Sequence, residues 1–245
     1  NSILRGLSQW NGVNWEPMGF GLGFPGVTAD SIGVGSSLTL YKGDLYVAGG
    51  FDWAGGTHYY DSAHNGWGIS HWTGADWFPL SSPGYSGFDS GVLALCTYHN
   101  ILYCGGGFGG CYDATGSHIT TGIARWNDTV FSACGQLNGD FPPHYDFAVQ
   151  AFCVYQNKLI AGGWFTSIDG SPLGSYSGIA AFNDTAWSAL GNGFNSAVFS
   201  LVVFNNELYA GGRFTASRDG LTPLNHIAKW NGSAWQQVGD GLNDT

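Results

Sequence analysis

Ile227-Ala228-Lys229-Trp230-Asn231-Gly232-Ser233-Ala234-Trp235 is a stretch in which two aromatic strands flank an Asn-Gly pair. Asn-Gly readily adopts the left-handed backbone angles of a type I′ turn, so the stretch predicts a β-hairpin. The same order of residue types, which we call the outer hairpin, occurs five times in the chain. The other copies lie at 7–15, 69–77, 123–131 and 179–187. A repeat this regular indicates a repetitive all-β fold.

A second kind of hairpin, which we call the inner hairpin, alternates with the first. Its copies lie at 38–51, 93–108, 150–165 and 199–214. The second turn residue of each copy is of a type that tolerates positive φ, namely Gly43, Asn100, Asn157 or Asn206. A glycine also precedes the closing phenylalanine by two residues, where we expect a side chain to clash with a crowded or bent strand. These glycines are Gly49, Gly106, Gly163 and Gly212.

One inner and one outer hairpin together form a four-stranded unit. Equivalent residues of the units (Tyr46, Tyr103, Ile160 and Tyr209) follow one another at 57, 57 and 49 residues. Four-stranded units with a period of this order are typical of β-propeller blades. We therefore predict a single all-β propeller domain of antiparallel blades over residues 1–245. It has a half-blade at 1–19 and blades at about 37–81, 92–135, 149–191 and 198–239.

The residues of these units resemble a known family. In the last unit, a strand ending in Gly211-Gly212 is followed by Trp230 and Trp235, as in kelch-type blades. The chain looks closer still to the kelch-like repeats of many secreted and surface proteins, with their recurrent AGGxF…GIAxWNG pattern. The resemblance covers nearly the whole chain but departs from ordinary kelch in long inserts at 52–67, 109–121 and 136–147. It implies a kelch-like propeller and leaves the function open, because propellers serve binding, scaffolding and catalysis alike.

The two kinds of hairpin do not balance, because five outer hairpins accompany four inner ones. A closed ring would have five blades, and the half-blade at 1–19 lacks its inner strands. Either the chain is a segment of a longer protein, or the missing strands come from another chain. An unpaired sheet edge invites strand addition, and head-to-tail donation can generate filaments.

Composition excludes several classes of partner. Lys and Arg total 7 against 17 Asp and Glu, and the formal net charge is −10. No basic stripe exists to neutralise phosphates, which argues against nucleic acid. No apolar run approaches the length of a membrane span, so membrane insertion is not expected. The sequence also shows no signal peptide, so a secreted protein would be present here in a mature or trimmed form.

Cysteines and sequons bear on the compartment. The five cysteines are an odd number, which forbids complete internal pairing. We predict a disulfide between Cys104 and Cys111, and apolar core roles for Cys96, Cys134 and Cys153. N-glycosylation sequons lie at Asn127, Asn183, Asn231 and Asn243, the first three in outer turns. These features favour an extracellular or cell-surface glycoprotein.

Candidate metal ligands are few. His58, Asp61 and His64 recur at a spacing of three in the first insert and would need further converging ligands to hold zinc or copper. The alternative is a polar, aromatic-rich loop. Asp113, Asp169 and Asp219 recur after the inner hairpins and could supply oxygen to calcium, although Asp-Gly is also an ordinary turn signal. No cofactor is expected.

Aromatic residues in the loops, and the lack of an identifiable catalytic pair, lead to three functional hypotheses. Trp53, Trp164, Tyr59, Tyr60 and Trp67 are candidates for stacking on a sugar ring, or alternatively for packing between blades. No nucleophile–base pair or paired carboxylates can be identified. The first hypothesis is a non-catalytic structural or interaction module that binds other protein chains or itself. The second is a carbohydrate-binding, lectin-like propeller, and the third is a metal-dependent oxidase on the same scaffold.

Overall fold

The computed structural model describes residues 6–24, 32–55, 65–80, 86–138 and 147–242. Within these residues the regular elements are β-strands, with no helix. The strands are β1 (Ser8–Trp10), β2 (Trp15–Pro17), β3 (Leu22–Gly23), β4 (Val34–Tyr41), β5 (Asp44–Gly50), β6 (Trp53–Ala54), β7 (Ile69–Trp72), β8 (Trp77–Phe78), β9 (Gly87–Phe88), β10 (Val92–Tyr98), β11 (Ile101–Gly106), β12 (Gly110–Asp113), β13 (Gly116–Ile119), β14 (Gly122–Trp126), β15 (Phe131–Asn138), β16 (Ala148–Tyr155), β17 (Lys158–Trp164), β18 (Ser167–Ile168), β19 (Ile179–Phe182), β20 (Trp187–Ala189), β21 (Val198–Phe204), β22 (Glu207–Gly212), β23 (Ile227–Trp230) and β24 (Trp235–Gln237).

Four large antiparallel sheets each combine one inner and one outer hairpin, as the repeats predict. Sheet I has the order β4-β5-β7-β8, sheet III β16-β17-β19-β20 and sheet IV β21-β22-β23-β24. Sheet II has the order β10-β11-β14-β15-β18 and is therefore five-stranded rather than four-stranded. Its fifth strand joins because β15 runs on to Asn138 and pairs Leu137 with Ile168. The all-β, antiparallel part of the prediction is confirmed.

Smaller sheets account for the rest of the described strands. The N-terminal hairpin is the two-stranded sheet β1-β2, and β3 pairs with β6. The insert at 109–121 forms the hairpin β12–β13, and β12 pairs on its other edge with β9. No helix in the described part of the chain is long and apolar enough to cross a membrane.

The inner hairpins have the turns that the sequence predicts. In sheet I, Tyr41 pairs with Asp44 across Lys42 and Gly43, whose φ angles are 51° and 94°. The other three turns likewise have positive φ at both central residues, which is the type I′ geometry. Their residues are His99-Asn100, Gln156-Asn157 and Asn205-Asn206. Asparagine at the second position tolerates this conformation best among residues with side chains.

The outer hairpins do not have the predicted type I′ turn. Trp230 pairs with Trp235, so the loop contains four residues, and the Asn231 N–H donates to the Ala234 carbonyl. Only Gly232 in this loop has positive φ, at 100°. The Asn231 side chain explains the difference, because its Oδ1 accepts the N–H groups of Ser233 and Ala234. The asparagine side chain therefore caps the turn, and the backbone of Asn231 itself does not adopt a positive φ.

The repeated glycine of three inner hairpins faces a β-bulge in the neighbouring strand. The register of β16 against β17 shifts between Val149 and Ala151, opposite Gly163. A side chain on Gly163 would collide with the backbone carbonyl oxygen of Ala148. Gly49 and Gly212 are in the same situation against Val34 and Ala197. The expected clash is confirmed for these three glycines, and its cause is the bulged backbone of the neighbouring strand.

The chain forms two compact units. Unit 1 comprises residues 1–104, 108–120 and 124–133, and unit 2 comprises 105–107, 121–123 and 134–245. One core of unit 1 surrounds Trp126, Phe88 and Phe108, and another surrounds Trp77 and Leu22. The core of unit 2 contains Phe194, Phe214, Trp230 and Trp235.

Tryptophans of the outer hairpins link consecutive repeats by hydrogen bonds. Trp77 Nε1 donates to the Met18 carbonyl at 3.2 Å, Trp187 Nε1 to that of Cys134 at 2.7 Å, and Trp235 Nε1 to that of Leu190 at 2.9 Å. Each acceptor occupies one repeat position, three residues after the second aromatic of the preceding outer hairpin. Each bond therefore joins an outer hairpin to the outer hairpin before it.

Candidate functional sites and interaction surfaces

The outer turns at the sequons share one hydrogen-bond pattern. Asn127 Oδ1 accepts the Thr129 hydroxyl at 2.9 Å and the Val130 N–H at 3.0 Å. Asn183 and Asn231 have the same arrangement with Thr185 and Ser233. A glycan is attached to Nδ2 of a sequon asparagine, whereas these hydrogen bonds are made by Oδ1. All three asparagines are exposed. Glycosylation at these sites stays a prediction, and Asn243 lies outside the described residues.

The predicted stacking aromatics divide into three groups. Trp53 is 2% exposed and packs on Phe20, with its ring directly against Gly23. It is a core residue, so the prediction that it stacks on a ligand is wrong. Trp67 and Trp164 are half-buried and retain some exposed ring surface. Tyr59 and Tyr60 lie outside the described residues.

The metal prediction falls on residues that the structure does not describe. His58, Asp61 and His64 all lie in the 56–64 gap. Among the described residues, no group of three or more His, Cys, Asp or Glu side chains converges to hold a metal ion. Asp169 and Asp219 act within loops, where Asp169 Oδ1 accepts the Gln136 N–H and Asp219 Oδ1 accepts the Leu221 N–H.

The predicted disulfide between Cys104 and Cys111 is absent, because all five cysteines are free thiols. Both side chains are buried in the core that contains Phe88, Phe108 and Phe131, where they act as small apolar residues. Burial raises the pKa of the Cys111 thiol to about 12 and that of the Cys96 thiol to about 11. The pKa of Cys104 is also raised, by burial first and by Cys111 second. These thiols are protonated at neutral pH and are poor nucleophiles.

Asp113, for which the sequence suggests either a calcium ligand or a turn residue, has a buried carboxylate in unit 1. Its Oδ2 accepts the Phe131 N–H at 2.6 Å and lies 3.0 Å from His118 Nε2. Its Oδ1 accepts the backbone N–H and the hydroxyl of Thr115. Burial alone would raise the pKa of Asp113, but the bonds from Thr115, Phe131 and His118 outweigh it and lower the pKa. The carboxylate anchors the insert hairpin β12–β13 to β15.

We expect Asp113→Asn to lower the free energy of unfolding by about 1–3 kcal/mol at neutral pH, because charge-assisted bonds to a buried group are lost. The lowered pKa means that the carboxylate stabilises the fold above its ordinary pKa and loses this effect as the pH falls below it. The free energy of unfolding, measured with urea between about pH 7 and pH 3, should therefore fall more steeply with decreasing pH for the wild type than for the variant. Asp219→Asn is the exposed control and should cost less; equal costs would contradict a special role for Asp113.

Two faces of the inner strands are exposed at positions that other repeats bury. On β21, Phe204 is 61% exposed, whereas the equivalent Tyr98 is 2% exposed. On β4, Leu38 is 56% exposed, whereas the equivalent Leu95 is 8% exposed. For Leu95 the neighbouring element is β4 of sheet I, since the Leu95 N–H donates to Ser37 Oγ at 3.0 Å and the Thr97 hydroxyl donates to the Leu40 carbonyl at 2.7 Å.

The N-terminal hairpin has an open edge as well. Among the described residues, strand β1 pairs with β2 alone, whereas β7, β19 and β23 also pair with an inner strand on their other side. The register there is constant: Leu45 pairs with Trp72, Leu159 with Phe182 and Leu208 with Trp230. Trp10 occupies the corresponding place in β1, has no strand of the described ranges beside it, and is 54% exposed.

A cleft of about 870 Å³ is lined by residues of β21, β22 and the segments that follow them. Its lining includes Phe199, Ser200, Arg213, Thr215 and His226. The Arg213 guanidinium carbon lies 5.8 Å from the centre of the Trp164 ring, and that ring lies 6.4 Å from the Phe199 ring. Flat rings beside hydrogen-bond donors can hold a sugar or a peptide.

Comparisons with known proteins place the chain in no family. No family model matches the sequence, and no curated protein matches it. Among solved structures, the chain is similar to the computationally designed Ika8 protein (crystal packing No. 1 in P63), with 16% sequence identity and a TM-score of 0.43. The match covers 86% of this chain and 50% of that one, so the chain spans about half the length of that structure. A likeness at this level assigns no function.

Proposed function

We propose that the chain is a kelch-like β-propeller, five-bladed when closed, that acts as a non-catalytic structural or interaction module outside the cell. Its partners are other protein chains, and an inner hairpin supplied by another chain completes the half-blade. The repeat pattern and the regular sheets support the propeller. The exposed turns with sequons support the extracellular location and the glycosylation.

The observation that carries this proposal is the open edge of β1 together with the uncovered face of β4. In sheets I, III and IV an inner hairpin pairs with the first outer strand, and in the contact of sheet I with sheet II an inner strand covers the face. A single inner hairpin beside Ser8–Trp10 and over Leu38 would supply both of the contacts that the described residues lack. Strand addition to an open edge supplies main-chain hydrogen bonds, and the pockets for alternate side chains give specificity.

A synthetic peptide with the sequence of residues 198–214 tests this proposal. By the register of the other sheets, its leucine at 208 should lie opposite Trp10 and its alanine at 210 opposite Ser8. We expect saturable binding and a rise in the melting temperature, since a ligand at 100 times its Kd adds about 2.7 kcal/mol. A control peptide with Leu208→Asp and Ala210→Asp should not bind. Equal binding of both peptides, or of neither, contradicts completion by an inner hairpin.

The second candidate function is carbohydrate binding. It is favoured by the cleft of sheet IV, where Phe199, Arg213 and the nearby Trp164 combine ring surface with a charged donor. Oligosaccharides that bind there should raise the melting temperature of the wild type but not of Trp164→Ala. If no sugar in a broad panel shifts the transition, this function is excluded for the cleft.

A further inference from the structure

His226 occupies a repeat position that is glycine everywhere else in the chain. The position immediately precedes the aliphatic residue that opens each outer hairpin, and its other occupants are Gly6, Gly68, Gly122 and Gly178, with φ angles of 74°, 84°, 78° and 79°. His226 has the same left-handed backbone conformation, with φ at 70°. Positive φ is uncommon for a residue with a side chain, and such residues cluster at functional sites.

The glycine of this position normally leaves room for the next inner hairpin. A methyl group on Gly178 would lie 3.2 Å from the carbonyl oxygen of Ser196 and 3.8 Å from Cγ2 of Val198, both of the next repeat. A strand that crossed sheet IV in the same way would meet the imidazole of His226. This corner of sheet IV therefore differs in shape from the corresponding corner of sheet III, where strand backbone packs.

Hydrogen bonds fix both the backbone and the ring of His226. Its N–H donates to the Phe214 carbonyl at 2.8 Å, and its carbonyl accepts the Gly212 N–H at 3.0 Å. Ring Nδ1 lies 3.1 Å from the Gly212 carbonyl oxygen, which can only accept, so Nδ1 carries a proton. Ring Nε2 has no partner among the described residues, and His226 lines the cleft of about 870 Å³. Nε2 is therefore available to a ligand in that cleft.

Arg213 lines the same cleft and also departs from the repeat. The equivalent residues of sheets I, II and III are Gly50, Gly107 and Trp164. The Arg213 guanidinium carbon lies 5.8 Å from the centre of the Trp164 ring, which is the distance of a cation–π contact. Within the described ranges the guanidinium makes no hydrogen bond or ion pair, whereas Lys42 and Lys229 each pair with a carboxylate.

An unpaired guanidinium is unexpected in an acidic chain. Asp and Glu total 17 against 7 Lys and Arg, yet no carboxylate of the described residues lies within ion-pair distance of Arg213. A guanidinium presents a planar fork of N–H donors that matches a carboxylate in geometry. The Trp164 ring supports this fork from one side. The cleft is therefore complementary to a ligand that brings its own carboxylate.

We propose that this cleft of unit 2 binds a saccharide that carries a carboxylate, with a uronic acid unit as the simplest case. The Arg213 fork binds the carboxylate, and the exposed Phe199 ring offers a flat apolar surface to the sugar ring. Nε2 of His226 and the hydroxyl of Ser200 bond to the sugar hydroxyls. The inference rests on the carbohydrate-binding function proposed above and specifies its ligand class.

The other lining groups favour a saccharide over an acidic peptide. A sugar ring combines an apolar face with hydroxyls around its edge, and the cleft pairs an aromatic ring with single polar groups in the same way. An acidic peptide would use the guanidinium but would leave Phe199 and His226 without matching groups. Its binding is therefore an outcome of the test rather than the expectation.

Titration calorimetry of the whole chain with trigalacturonate tests the inference. We expect saturable binding by the wild type. The methyl ester of the same trisaccharide keeps the rings and hydroxyls but loses the negative charge, so its binding should be at least about tenfold weaker. Hexaglutamate, which is charged but has no sugar ring, should not bind.

Two variants and one matched control locate the binding in the cleft. Arg213→Gln should weaken trigalacturonate binding at least about tenfold, because it removes the charged fork. Lys158→Gln makes the same change in net charge on an exposed residue of unit 2 outside the cleft and should bind like the wild type. His226→Gly restores the residue of the other repeats, so it should weaken binding without lowering the melting temperature.

The outcomes separate this inference from the functions on which it builds. Equal binding of trigalacturonate and its methyl ester overturns the acidic ligand but leaves carbohydrate binding intact. Equal affinity of Arg213→Gln and Lys158→Gln overturns the assignment to this cleft, and binding of hexaglutamate as tight as that of trigalacturonate assigns the cleft to acidic peptides instead. If no saccharide binds, carbohydrate binding fails as well, and the interaction-module function is still decided by the 198–214 peptide.

Discussion

Replacing Trp77 with alanine should lower the free energy of unfolding by about 3–5 kcal/mol, the range for truncating a large buried aromatic. Trp77 is fully buried, packs on Trp72 at 5.3 Å and donates to the Met18 carbonyl. The substitution leaves a cavity between two repeats and a buried carbonyl without its donor. Both effects destabilise the folded state. Urea unfolding followed by far-ultraviolet circular dichroism measures the change.

Trp15→Ala is the matched control, because Trp15 occupies the same repeat position but is largely exposed. Its cost should stay within about 0.5 kcal/mol in the monomer, as for ordinary surface substitutions. Trp77→Phe separates the two effects, since it removes mainly the indole donor and should cost about 1–3 kcal/mol. A Trp77→Ala variant no less stable than Trp15→Ala would show that the indole link does not hold the repeats together.

The second large effect is expected for Gly163→Ala, which should cost about 3 kcal/mol, at the upper end of the range for overpacked sites. The added methyl group meets the carbonyl oxygen of Ala148, which belongs to a bulged strand backbone. A backbone atom held by ladder hydrogen bonds on both sides of a bulge cannot turn away as a side chain can. The strand must shift, and the register of β16 against β17 shifts with it.

Gly50→Ala is the control for this prediction. Gly50 also ends an inner strand, and nothing lies within 4 Å of the position that its methyl group would take. Its variant should be as stable as the wild type or slightly more so, because alanine restricts the unfolded chain. Thermal unfolding of both variants gives the comparison. If the two costs agree, the bulge tolerates a side chain and the explanation for the repeated glycine is wrong.

The strand order and the inner turns could be predicted because they depend on local residue types. Asn100, Asn157 and Asn206 stand where positive φ is required, and the aromatic spacing repeats with the strands. The outer turn was mispredicted for an equally local reason. Asn231-Gly232 suits a two-residue type I′ turn. The side-chain oxygen of Asn231, however, accepts hydrogen bonds from two backbone N–H groups, and this favours a four-residue loop.

Contacts between residues that are far apart in the sequence could not be predicted from it. Trp53 lies in an insert that reads as a loop, and its burial depends on Gly23, a residue 30 positions earlier, leaving room for the ring. Cys104 and Cys111 look like a pair, but their surroundings make them core residues. The sequence around Asp113 is typical of a turn, and only the structure shows the contacts of its carboxylate with the Phe131 N–H and His118. The indole links end on backbone carbonyls, which no residue type marks.

The five free thiols have a consequence for the lifetime of the folded protein. Folding holds Cys96, Cys104 and Cys111 protonated, and unfolding returns each thiol to an ordinary pKa at which air oxidation and exchange proceed. Because five is odd, at least one of these thiols cannot pair with another of the five when the protein unfolds. In an oxidising medium, loss of the fold therefore becomes irreversible. Persistence there is governed by the rate of unfolding, and an equilibrium free energy describes the protein only while a reductant is present.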